Sequence, residues 1–273
     1  MTKKSLADAS QVTVSHLLQA KSKGEKIVSL TAYDASFAKI VDQSSVDLIL
    51  VGDSLGMVIQ GHAHTIPVTM DDIIYHTRAV VAGSQRALIM ADMPFLSYTN
   101  TAEALKNAAR LMKEGGAHMV KLESSAAQTE VIRRLAEEGI PVCAHLGLRP
   151  QTVHKLGGYK VQGRDAEAAD VMLQEAQAFA EAGADLLLLE CVPAELAYRI
   201  SHSVSVPVIG IGAGPDCDGQ ILVLYDILAI SHGKRPRFSK DYLQQAGSIP
   251  AAVDAYVTEV RQQQFPAAEH SFK

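Results

Sequence analysis

A closed α/β barrel of eight parallel strands, each followed by a helix, is the fold this sequence predicts. Three observations carry that prediction: short apolar runs recur along the chain, helix-like segments separate them, and acidic or polar residues stand at their downstream ends. Runs that are apolar throughout belong to strands covered on both faces, as in a parallel sheet. The chain of 273 residues is close to the roughly 250 typical of a (βα)8 TIM barrel. A single domain over residues 1–273 is expected.

In chain order, residues 10–23 read as an extra N-terminal helix that closes the barrel bottom. The strand runs follow: IVSLTAY (27–33), DLILVG (47–52), ALIMAD (87–92), AHMVKLE (117–123), IPVCAH (140–145), ADLLLLE (184–190), VPVIGIG (206–212) and the weaker DILAI (226–230). Between them lie DASFAKIVDQSS, MDDIIYHTRAVVAG, TAEALKNAARLMKEGG, AAQTEVIRRLAEEG, AEAADVMLQEAQAFAEAG and AELAYRISHSV, most with apolar residues three and four apart. Gly115, Gly139 and Gly183 precede strands and are expected as left-handed helix caps, which a residue without Cβ adopts most easily. Thr69 ahead of Asp71 and Asp72, and Thr101 ahead of Glu103, are expected to open helices, with acids at the positive dipole end. Asp34 and Asp71 also read as helix-start residues. Residues 239–262 read as two helical pieces, and the final EHSFK as mobile.

Composition narrows the function. Hydrophobic residues make up 48% of the chain and charged ones 20%, an ordinary globular balance, and no run reaches the roughly 18 apolar residues of a membrane span. The opening MTKKSLADAS leads into a mixed stretch without the apolar core of a secretory signal, so a cytoplasmic location is expected. A net charge of −5 with no block of lysine or arginine argues against nucleic acid. Cys143, Cys191 and Cys217 are an odd set without CxxC spacing, which supports neither a disulfide framework nor zinc, and buried free thiols are expected. The expected ligand is a small molecule.

The longest irregular stretch is LGLRPQTVHKLGGYKVQGRD, 146–165, after the fifth strand. Connections of this length are uncommon unless functional or disordered. Gly157 and Gly158 with Lys160 and Arg164 suit a basic lid over an anionic substrate, the alternative being a solvated loop. GIGAG at 210–214 is open between an anion-binding turn and a tight turn that needs close packing.

The carboxyl ends of barrel strands share the face where active sites are built. Asp53, Asp92, Glu123, His145 and Glu190 all fall there. A hard cation such as Mg2+ is held by one or two carboxylates and leaves positions for substrate oxygens. Asp53 and Asp92 are the leading ligands, with Glu123 completing the site directly or through water. Singly, each acid also reads as a helix cap or salt-bridge partner; three at consecutive strand ends favour a site. Lys121, two residues before Glu123, points the same way into the barrel mouth, where it either pairs with the acids or holds a substrate carboxylate. His145 either bonds a substrate oxygen or satisfies a buried polar contact, while His62, His64 and His76 read as structural or exposed. Glu190 ends LLLLE, and its leucines predict a desolvated carboxyl with a raised pKa, as a general base near neutrality requires. A salt bridge is its alternative.

Several segments together carry a resemblance: TAYD (31–34), VGDSLGM (51–57), Gly61 through IPVTMDDIIYHT, AHLGLRPQ (144–151), GGYKVQGR (157–164), LLECVP (188–193) and VIGIGAG with DGQILV. Over nearly its whole length the chain resembles the ketopantoate hydroxymethyltransferase family. The resemblance implies a barrel of the phosphoenolpyruvate/pyruvate type. It also implies transfer of a hydroxymethyl group from 5,10-methylenetetrahydrofolate to 3-methyl-2-oxobutanoate, through an Mg2+-stabilised enolate, to give 2-dehydropantoate for pantothenate and coenzyme A biosynthesis. By motif it puts Asp53 and Asp92 at the metal and the oxo acid, Glu123 alongside, Ser54 and Lys121 against the substrate, and Glu190 as proton acceptor. A large homo-oligomer, usually a decamer, is the assembly it implies. The rival readings are a metal-dependent lyase or mutase acting on another 2-oxo acid, and a barrel that binds without turnover. A strict need for methylenetetrahydrofolate separates the first rival.

Overall fold

The computed structural model describes residues 10–273 apart from His232 and Lys234. Residues 1–9, which open the stretch read above for a leader, lie outside the described residues. Eight parallel strands close in sequence order: β1 (Ile27–Thr31), β2 (Leu48–Val51), β3 (Leu88–Asp92), β4 (Met119–Glu123), β5 (Val142–Gly147), β6 (Leu186–Glu190), β7 (Val208–Ile211) and β8 (Gly219–Leu222), with β8 paired back on β1. Around and between them run α1 (Val14–Lys23), α2 (Ala35–Gln43), short α3 (Leu55–Val58), α4 (Met70–Gly83), α5 (Thr101–Lys113), α6 (Thr129–Glu137), short α7 (Val153–Leu156), α8 (Ala166–Glu181), α9 (Ala194–Ser203), short α10 (Leu224–Ile227), short α11 (Leu243–Ala246) and α12 (Ile249–Arg261). The strands bury nearly every side chain, whereas a helix such as α6 buries only one stripe, Val131, Ile132 and Leu135. That contrast is the period of two with both faces covered against the period of 3.6 with one face covered.

The bottom of the barrel is closed by α1 as expected. Val12 N donates to Arg86 O at 2.7 Å, and Lys21 Nζ donates to Asp218 Oδ2 at 2.7 Å and to Ser201 O at 2.8 Å. On this face, carboxylates at strand entrances accept amide hydrogens from neighbouring strands: Asp47 from Val28 N at 3.0 Å, Asp185 from Val142 N at 2.9 Å and Asp218 from Val208 N at 2.8 Å. Buried Asp42 accepts from Ala87 N at 2.7 Å and from Gln85 N and Arg86 N at 3.0 Å, which satisfies the turn that feeds β3. These bonds supply partners to amides that the parallel ladder leaves open at its ends.

Four local expectations need correction. The eighth strand is GQIL, and most of DILAI lies in α10 and the turn after it. A Cβ at Gly219 would lie 2.3 Å from Ile27 O, so β8 begins where β1 comes too close for any side chain, and its Gln220 is satisfied by donating to Gly214 O at 3.0 Å. A short strand of glycine, glutamine and two aliphatics carries little periodic signal. The second correction is Gly116, at φ +81°, which takes the left-handed position expected of Gly115; Gly139 and Gly183, at +75° and +100°, are as expected. Third, Asn100 rather than Thr101 caps α5, its side chain accepting from Glu103 N at 3.0 Å. Asp34 and Thr69 cap α2 and α4 as expected. Last, EHSFK is tied down: Ala194 N donates to Phe272 O at 3.0 Å, and Arg237 Nε donates to Glu269 O at 2.8 Å.

Candidate active site

The strand ends deliver their polar residues into one cavity of about 750 Å3 lined by Asp53, Ser54, Asp92, Lys121, Glu123, His145 and Glu190. All the site residues expected from the sequence are therefore brought together. Register explains the pairing: Asp92 of β3 lies opposite Lys121 of β4, and Glu123 opposite His145 of β5. Residues level with each other in neighbouring parallel strands point to the same side, so Lys121 Nζ donates to Asp92 Oδ1 in a buried ion pair. Asp53, just beyond β2, donates its backbone N–H to Asp92 Oδ2 at 2.9 Å. Ser54 Oγ is 2.9 Å from the hydroxyl of buried Tyr33.

Glu190 closes β6 beside Gly147, its partner on β5. A Cβ at Gly147 would meet Glu190 O at 2.3 Å, and φ there is +89°, so glycine is required on both counts. The chain leaves β6 through Cys191 at φ +48°, an uncommon left-handed value for a residue with Cβ. Cys191 O accepts from Gln162 N at 2.9 Å, which fastens the 146–165 connection to the Glu190 strand. Glu190 Oε2 lies 3.3 Å from His145 Nε2, but among the described residues neither ring nitrogen of buried His145 has a hydrogen-bond partner.

The electrostatics record negative charge without enough compensation. Burial, then the Asp92 charge, raises Asp53 to about 7; burial, then Asp53, holds Glu123 well above the carboxylate range. Burial raises Glu190 to about 8 although Lys121 opposes it. Burial alone would lower the Lys121 ammonium, but Asp92, Asp53 and Glu123 outweigh it and the net shift is upward. His145 is pushed well below its ordinary value by burial and by Lys121, so it is neutral.

The donor set is all carboxylate oxygen, which suits a hard cation such as Mg2+ and not a soft one. Among the described residues no group of three His, Cys, Asp or Glu side chains stands ready to hold a metal ion. A hard cation at this place fits carboxylate oxygens together with water and substrate oxygens. Glu123 is already occupied, accepting from Gln151 N at 2.9 and 3.2 Å.

Gln151, Tyr98 and Tyr33 are site residues that sequence reasoning passed over. Gln151 and Tyr33 lie inside the segments AHLGLRPQ and TAYD, yet nothing in their type or spacing marks them, and Tyr98 lies in none of the quoted segments. The GIGAG turn resolves toward packing: a Cβ at Gly212 would lie 3.0 Å from Phe238 and Phe272 atoms, and one at Gly214 would lie 2.5 Å from Ala194 Cβ. The three cysteines are free and buried, as expected.

A family model described as ketopantoate hydroxymethyltransferase matches residues 11–268. The chain belongs to the ketopantoate hydroxymethyltransferase family. It is 62% identical over 261 residues to the 3-methyl-2-oxobutanoate hydroxymethyltransferase of Alkalilimnicola ehrlichii, covering 96% of this chain and 94% of the relative. The enzyme of that name from Marinobacter nauticus is 57% identical over 262 residues, covering 96% and 99%. This ketopantoate hydroxymethyltransferase family member is thus an enzyme. Among solved structures, the chain is similar to the phosphoenolpyruvate phosphomutase of Streptomyces platensis, with TM-score 0.59, 14% identity and 79% and 82% of the two chains covered. Phosphonopyruvate hydrolase in complex with oxalate and Mg2+ gives TM-score 0.61 at 17% identity, covering 92% and 94%. At these identities the likeness speaks for the fold alone, a closed barrel of eight parallel strands and helices. Among the described residues no helix is long and apolar enough to cross a membrane.

Proposed function

We propose that this enzyme transfers a hydroxymethyl group from 5,10-methylenetetrahydrofolate to C3 of 3-methyl-2-oxobutanoate, giving 2-dehydropantoate for pantothenate and coenzyme A biosynthesis. The observation that carries the reading is a desolvated carboxyl, Glu190, raised to about 8 in the same cavity as the Asp53–Asp92–Lys121 cluster. A base and a charge-stabilising cluster sharing one cavity suit proton removal next to a carbonyl. Glu190 takes the C3 proton. The resulting carbon nucleophile bonds to the methylene carbon of the folate as one of its two carbon–nitrogen bonds breaks, and water supplies the hydroxyl oxygen as the second breaks; the two nitrogens take the proton held by Glu190 and one from the water, and tetrahydrofolate leaves.

Asp53 and Asp92 would hold Mg2+, with Glu123 completing the site directly or through water. Bound there, Mg2+ supplies positive charge to the carboxylate and carbonyl oxygens of the 2-oxo acid, which stabilises the charge that develops on the enolate. Lys121, fixed by Asp92, adds a second positive charge beside the substrate carboxylate. Ser54, oriented by Tyr33, donates to a substrate oxygen, and neutral His145, with both ring nitrogens open, does the same without giving up a full proton. The 146–165 connection folds over the mouth with Tyr159, Lys160 and Val161 on the cavity wall. Exposed Tyr75, Leu96 and Tyr198 suit burial between copies, and the chain assembles as a homodecamer in the cytoplasm.

Purified protein given both substrates should release 2-dehydropantoate with Mg2+ and none with excess chelator, as read by mass spectrometry. Metal-dependent turnover of another 2-oxo acid without methylenetetrahydrofolate would transfer the site to a lyase or mutase. No product from folded protein under any of these conditions would overturn the transferase reading.

A further inference from the structure

We infer that Gln151, clamped by Tyr98, is a positioning residue that sets the orientation of Asp53 and Glu123 for a divalent cation. The inference rests on the metal reading above. Gln151 is buried, and every polar group that it directs into the site is engaged. Its side-chain nitrogen donates to Asp53 Oδ2 at 2.9 Å and to Met93 O at 3.0 Å. Its side-chain oxygen accepts from Tyr98 OH at 2.6 Å, and its backbone N–H donates to both Glu123 oxygens.

The amide can face only one way. Met93 O only accepts, so the nitrogen must meet it and, with it, Asp53 Oδ2, and the oxygen is left for Tyr98, whose hydroxyl is a donor. Burial, reinforced by the Glu123 and Asp53 charges, holds the Tyr98 phenol well above its ordinary range, so the donor keeps its proton. One residue thereby engages Asp53 Oδ2 and anchors Glu123, which fixes the face each carboxylate can offer to a cation. Two buried acids whose charges act on each other would otherwise swing apart or take up a proton. Outer partners of this kind orient metal ligands, and losing one typically costs about 10–100-fold in metal affinity or activity.

Gln151 is carried by the connection after β5, whereas Asp53 and Glu123 follow β2 and end β4. The acids are therefore aligned only when that connection is seated. Neither the identity of the residue nor the spacing of the acids in the sequence announces this dependence.

The test is Mn2+ binding to the substrate-free full chain, followed by electron paramagnetic resonance, for wild type, Gln151→Leu and Tyr98→Phe. Gln151→Leu should weaken Mn2+ binding at least about 10-fold. It should also lower turnover in a way that raised Mg2+ largely restores, with KM for the oxo acid following the metal concentration. A merely structural defect is not rescued by metal. Tyr98→Phe removes one hydroxyl and keeps the ring, so it serves if the first variant does not fold, and a two- to five-fold weakening (roughly) is expected. Wild-type affinity in a folded Gln151→Leu, or in Tyr98→Phe alone if the first is unfolded, overturns the inference. Wild type that binds no Mn2+ overturns the metal reading itself, and this inference with it.

Discussion

Both ends of the barrel carry carboxylates, and the two ends give them different partners. At the bottom, Asp42, Asp47, Asp185 and Asp218 each accept from a backbone amide within 3.0 Å, and Asp47 and Asp218 also face arginine or lysine. At the top, Asp53, Asp92, Glu123 and Glu190 share Lys121 as their buried cation, and the pKa values of Asp53, Glu123 and Glu190 are displaced upward. Carboxylates with dedicated donors stabilise a fold; carboxylates with one another for neighbours store a demand for something else, a cation or a proton. The same residue type therefore reads as scaffold at one end and as chemistry at the other.

Five outcomes break or sharpen that contrast. Glu190→Gln should lower turnover by about 10^3-fold, the scale of a lost general base, with the fold intact by circular dichroism; retained turnover would remove the base from Glu190. In wild type, kcat/KM should climb as pH rises toward about 8, because the basic form of Glu190 appears through that range. Asp42→Ala should destabilise by roughly 3 kcal/mol in urea unfolding, since it strands the amides of residues 85–87, yet leave turnover per folded molecule unchanged.

The fourth outcome concerns stability and pH. The folded chain keeps the Glu190 proton from the ordinary carboxylate range up to about 8. Stability from this group is thus fullest below that range and is lost as pH rises to about 8. Glu190→Gln, which needs no proton, should therefore be the more stable protein at pH 8, by roughly 2 kcal/mol, and an equal or lower melting point there would contradict the desolvation account. The smallest effect is expected at Asp185→Asn: burial raises this carboxyl, and asparagine keeps the acceptor for Val142 N. Its melting temperature at pH 7 should hold or rise by no more than about two degrees.

The strands most legible in the sequence are those ending in a chemical group. LIMAD and LLLLE are apolar until the carboxylate at which they stop, and MVKLE is so apart from Lys121, so burial pattern and function mark the same residues. Strand β8 carries neither signal, because its first residue must be glycine to clear Ile27 and its Gln220 is buried. The apolar DILAI beside it competes for the same reading, and three-dimensional closure against β1 decides between them. At the site, the charged residues announced themselves, while Gln151 and Tyr98 did not. A neutral donor earns its place through partners on other strands, and such partners are invisible until the barrel closes.

The three buried thiols have a practical consequence. Burial pushes Cys217 up to about 12, and Cys143 and Cys191 are raised as well, so none offers a thiolate near neutrality. The natural chain is thus already a silent background for thiol-directed probes. A single Lys160→Cys, placed at an exposed position on the 146–165 connection, would carry a fluorophore or spin label alone and report the motion of that segment without any cysteine having to be removed.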